Sequence, residues 1–111
     1  MVDRAPTLLK QWQSHPRTKK ESYSVVGEDS NSCFDNNGAA GNITLTLPRA
    51  KTGLGPYRFL VATAHNIVMQ PGSADNFRGL GAGVAVTLTV AGQLREIFCN
   101  VTGVWEIITL V

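Results

Sequence analysis

Long apolar runs are missing from this chain of 111 residues, and no stretch approaches the roughly 20 residues a helix needs to cross a bilayer. No contact with a membrane is therefore expected. Cysteine is scarce: Cys33 and Cys99 are too few for a disulfide framework. Two readings stay open for them, a pair of small buried hydrophobes or a bridge between an early and a late strand in an oxidising setting. Histidine occurs only at His15 and His65, 50 positions apart, and the cysteines are 66 apart. Neither spacing suits a metal centre, so no metal or other cofactor is expected. The start of the chain is polar and broken by Pro6, unlike a secretory leader, which suggests synthesis in the cytoplasm. The sequons at Asn42 and Asn100 then read as chance matches. Charged residues make up 16% of the chain, below the roughly 25% usual in soluble domains. A surface that poor in charge is expected to meet other protein.

What the chain does have is alternation. Asn36-Asn37-Gly38 reads as a turn, since these residues tolerate positive φ. Ile43, Leu45 and Leu47 then alternate with Thr44 and Thr46, the period-2 signature of a half-buried strand. The pattern recurs over residues 22–27, 33–34, 56–62, 66–70, 84–90, 94–99 and 104–110. Turn signals recur roughly every 8–12 residues between these stretches, and no helical period lies between them. No internal sequence repeat is convincing. The expectation is an all-β fold, a compact antiparallel β-sandwich or barrel, built from residues 22–111. Tyr57 and Trp105 sit in strand patterns and are expected in the core.

Residues 1–21 read differently, as an extended N-terminal arm. Residues 1–20 carry a net charge of +4, against −2 for the remainder. Leu8, Leu9 and Trp12 suit one turn of helix between Pro6 and Pro16, and a large aromatic outside the core needs a partner. Leu8, Leu9, Lys10, Trp12, Arg17, Lys19 and Lys20 are the candidate contact residues. A basic arm can touch phosphate or an acidic protein surface. With so few cations beside one aromatic, direct nucleic-acid binding is not expected.

No catalytic constellation emerges. His65 could meet Ser73 or Asp75, but a surface-loop histidine is the commoner reading. Asp29, Asp35, Asp75, Glu96 and Glu106 are scattered, with Glu96 and Glu106 placed to pair with arginines such as Arg58 or Arg95 across strands. Residues 79–83, Gly-Leu-Gly-Ala-Gly, lack the following helix and the Lys-Ser/Thr of a phosphate loop. The chain is not expected to be an enzyme.

The order of turns and strands does resemble a known family. It runs through Tyr23-Ser24-Val25-Val26, then Phe34-Asp35-Asn36-Asn37-Gly38-Ala39-Ala40-Gly41, then residues 43–50. It continues through Gly53-Leu54, Tyr57-Arg58-Phe59-Leu60-Val61, Ile67-Val68-Met69-Gln70-Pro71-Gly72 and Gly103-Val104-Trp105-Glu106. Over residues 22–107 this is similar to the small β-domain of tailed-bacteriophage virion proteins, found as capsid cement (decoration) proteins and as terminal modules of tail fibres. The resemblance implies a viral structural protein of the virion, usually a homotrimer, on the capsid surface and bound to the major capsid protein. A short chain with its own Met1 and no fibrous shaft suggests the cement protein. The alternative is a receptor- or carbohydrate-binding module of a tail fibre.

Overall fold

The computed structural model describes residues 16–111; Leu8, Leu9, Lys10, Trp12 and His15 lie outside the described residues. Ten strands follow in order: β1 (Pro16–Thr18), β2 (Tyr23–Ser24), β3 (Cys33–Asp35), β4 (Ile43–Thr46), β5 (Tyr57–Leu60), β6 (Ile67–Gln70), β7 (Asn76–Phe77), β8 (Val86–Leu88), β9 (Leu94–Val101) and β10 (Val104–Thr109). A 3-10 turn, Gly27–Asp29, lies between β2 and β3.

The expected antiparallel sandwich or barrel is not what forms. The chain is all-β but winds as a β-solenoid of about three turns, with mostly parallel bridges. One sheet has the order β1-β3-β5-β9-β10-β7 and the other β2-β4-β6-β8. Each turn therefore places one strand in each sheet. Cys33 of β3 sits beside Arg58 of β5, 25 positions on, and Ile43 of β4 beside Ile67 of β6, 24 positions on. The direction reverses above the third turn, where β9 runs antiparallel to β5 and β8 antiparallel to β6. β10 folds back on β9, and β7 pairs parallel to β10.

The same inward alternation that suits a hairpin also suits stacking like on like. Phe34 lies against Phe59, with ring centroids 5.6 Å apart and planes 15° from parallel. Ile43 and Leu45 stand next to Ile67 and Met69, and all four are buried. Trp105 packs edge-on to Tyr57 at 5.9 Å, and both are fully buried, as expected. Each such aromatic pair contributes about 0.5–1.5 kcal/mol beyond its buried area.

Corners stack as well as strands, which is why successive turns stay parallel. The Asn42 side-chain oxygen accepts from the Asn66 amide at 2.8 Å, and the Ser22 hydroxyl accepts from the Thr44 amide at 3.0 Å. Asn36 is fully buried. Its Nδ2 donates to the His65 carbonyl at 2.9 Å, and its Oδ1 accepts from the amides of Ala62 at 2.7 Å and Thr63 at 3.3 Å. One side chain of the second turn thus satisfies three backbone groups in the corner of the third.

Candidate functional site

Of the contact residues expected from the sequence, Arg17, Lys19 and Lys20 are described, and the first two belong to the first turn of the solenoid. Arg17 lies in β1, which pairs with β3, and the Lys19 amide continues that ladder to the Asp35 carbonyl at 2.8 Å. Arg17 reaches inward to Asp29, with Nη2 3.1 Å from Oδ1. Asp29 is buried, and its Oδ2 also accepts from the Tyr23 hydroxyl at 2.9 Å and the Val26 amide at 3.0 Å. The Lys19 ammonium sits 3.6 Å from the centre of the Tyr23 ring, a cation–π contact. Arg17 and Lys19 therefore close the end of the core, while Lys20 is exposed.

The bond to Asp29 raises the Tyr23 phenol above its ordinary value of 10.0, helped by burial and by the carboxylate charge. Tyr57, the other tyrosine, is raised chiefly by burial. Spectrophotometric titration should thus show Tyr23 ionising above pH 10 in the folded protein, with Asp29→Ala bringing that step back down. Since the folded phenol holds its proton more tightly, this contribution to stability is complete below pH 10 and is lost as pH rises through the raised value.

The remaining candidates are dispersed. The His65 amide donates to the Thr63 hydroxyl at 3.2 Å. Asp75 is instead bound to the Ala50 amide at 2.9 Å, with the Arg49 Nε 3.6 Å away. Its Oδ1 and the Trp105 Nε1 are buried with no hydrogen-bond partner among the described residues. Glu96 pairs with Arg58 at 2.8 Å, in line with the cross-strand expectation. Glu106 instead meets Arg78 in a two-pronged pair, with bonds of 2.6–2.9 Å; the guanidinium holds its carboxyl below the usual range. Residues 79–83 connect β7 to β8, with positive φ at Gly79 and Gly83. Cys33 and Cys99 are both free thiols, raised by burial. They stand on opposite faces of one sheet, which prevents a bridge. No group of three or more potential metal-ligating side chains occurs among the described residues.

The two outer faces differ in chemistry. On the four-stranded sheet, Ser24, Thr46 and Gln70 form one row and Thr44, Val68 and Thr87 another. On the six-stranded sheet, alternation turns Arg58 and Leu60 away from the buried Tyr57 and Phe59, and Glu96 and Phe98 away from the buried Ile97 and Cys99. Leu60 faces Leu94 there, and Ile108 faces Glu96.

Comparison with protein-family models, with curated proteins and with solved structures finds no match to this chain.

Proposed function

We propose that the chain is a capsid cement protein of a tailed bacteriophage. As a homotrimer it binds the assembled shell of the major capsid protein and reinforces it, on the outer surface of the virion. The observation that carries this reading is where the buried polar side chains are spent. The buried Asp29, Asn36 and Asp75 each accept from backbone amides of their own fold, and His65 lies in the corner between β5 and β6. Such a body suits a scaffold that presents surfaces.

The tail-fibre reading needs exposed aromatic platforms for sugars. Every described Phe, Tyr and Trp is buried or half-buried, which favours the cement reading. The proposal also assigns shell contact to the N-terminal segment carrying Leu8, Leu9, Lys10 and Trp12. The protein should co-sediment with cement-free expanded capsids and raise the temperature at which they break open. Removing residues 1–15, which leaves β1 in place, should abolish co-sedimentation while the circular dichroism of the body persists. Undiminished binding would reject the segment's role, and no binding by the whole chain would reject the cement reading.

A further inference from the structure

The outer face of the six-stranded sheet is unusual for a surface turned to water. Leu60, Leu94 and Phe98 stand on it half-buried, and Ile108 is 40% exposed. Among them lies the Arg58–Glu96 ion pair at 2.8 Å, with side chains only 22% and 19% exposed. Isolated aliphatic residues on a surface need no explanation, but a contiguous group on one sheet face marks an interaction site.

Charge decides what fits it. The face carries Arg58 and Glu96 side by side, already matched; Glu106, opposite Phe98, is matched by Arg78, and Asp35 lies beside Leu60 toward the β3 side, with apolar side chains between them. A nucleic acid would need net positive charge here, and a strongly acidic or basic protein would bring a charge that nothing on the face balances. A second copy of the same face brings charges that are mostly paired already. Its Arg58 and Glu96 can be shared with those of its neighbour while the leucines, Phe98 and Ile108 leave water. The face of the four-stranded sheet, with its hydroxyl rows, offers far less apolar area.

We infer that this face, centred on Arg58 and Glu96 and walled by Leu60, Leu94, Phe98 and Ile108, is where copies of the chain pack on one another, turned toward the axis of the assembly. The inference rests on the homotrimer in the proposed function and names its contact surface.

Ile108→Lys provides the test. Ile108 is partly exposed and opposite Glu96, so a lysine is tolerated in the single chain, where it can pair with Glu96. In the assembly it buries a charge at the contact. Light scattering over a concentration series should find the wild type as a trimer. Ile108→Lys should run as a monomer, or associate at least about tenfold more weakly, with an unchanged melting profile. Leu94→Glu should do the same, and Thr46→Lys on the other sheet should remain trimeric. A monomeric wild type, or a trimer indifferent to both substitutions, overturns the inference. In the second case, new binding of an apolar dye after removal of residues 1–15 would assign the face to the chain's own N-terminal segment. Capsid co-sedimentation is scored separately: a trimer that depends on this face yet ignores shells defeats the cement reading alone, and a shell-binding protein whose trimer ignores this face defeats the inference alone.

Discussion

Asn36→Ala should be among the most damaging single substitutions in the described fold. The side chain is fully buried and satisfies the amides of Ala62 and Thr63 and the carbonyl of His65. Truncation leaves these groups without their partner, and a buried polar group so abandoned costs about 1–3 kcal/mol. Ala62 is exposed, so water recovers part of the loss, and a total of about 3 kcal/mol is expected. For a domain of this size that lowers the melting temperature by roughly 12–20 °C. Asn37→Ala, at the exposed neighbouring position, should stay within about 0.5 kcal/mol. Asn36→Asp separates hydrogen bonding from packing. It keeps the acceptor and loses the donor to His65, and it places a carboxylate where burial favours the protonated form. Its folded pKa is then above the unfolded value near 3.9, so the charge penalty is absent at low pH and develops as pH rises toward 7. Urea melts of the Asp variant at pH 4 and pH 7 should show the larger deficit at pH 7.

Gly55→Ala is expected to have a comparable effect for a different reason. Gly55 has φ of +94°, where a side chain costs about 1 kcal/mol. Its added Cβ would also lie 2.9 Å from the Ile97 carbonyl oxygen and 3.1 Å from the Phe98 Cα. Both are backbone atoms of β9 and cannot swing aside. The corner before β5 would have to lift from β9, straining the bonds between Gly53 and Cys99 and between Cys99 and Leu54. Overpacking of this kind adds about 1–3 kcal/mol, for a total of about 3 kcal/mol. Gly92 has a similar φ of +95° with nothing within 4 Å of an added Cβ, so Gly92→Ala should cost only about 1 kcal/mol. A difference in urea midpoint between the two variants measures the close approach itself.

Strand positions were legible from the sequence because alternation is a local property. Residues 43–47, 56–62 and 66–70 read as strands, and β4, β5 and β6 lie within them. Pairing was not legible. An inward-outward alternation looks the same whether a strand's neighbour is the next one in sequence or the one a full turn later. One signal could have separated these cases: Asn42-Ile43-Thr44-Leu45 and Asn66-Ile67-Val68-Met69 recur 24 positions apart and turn out to be stacked. Unequal corners hide the recurrence elsewhere. The offset from β1 to β3 is 17 positions, from β2 to β4 it is 22, and from β3 to β5 it is 25. Of the candidate contact residues, Arg17 and Lys19 were read as part of an extended N-terminal arm, whereas Arg17 lies in β1 and the Lys19 amide extends its ladder. Nothing local announces that Asp29, 12 positions after Arg17, lies buried beneath it.

The reversal above the third turn has a further consequence. A parallel solenoid is in principle an unlimited polymer, because each turn presents a template for another. Here the four-stranded sheet ends on β8, whose polarity is reversed, and the six-stranded sheet ends on the two-residue β7, beyond β9 and β10, while Arg17 and Lys19 lie over Asp29 and Tyr23 at the other end of the described core. A second copy arriving at β8 meets a strand of reversed polarity, and at β7 one only two residues long, which gives little template for another turn. The described stack is about three turns long, and its broad sheet faces, rather than its short end strands, offer most of its surface to a neighbour.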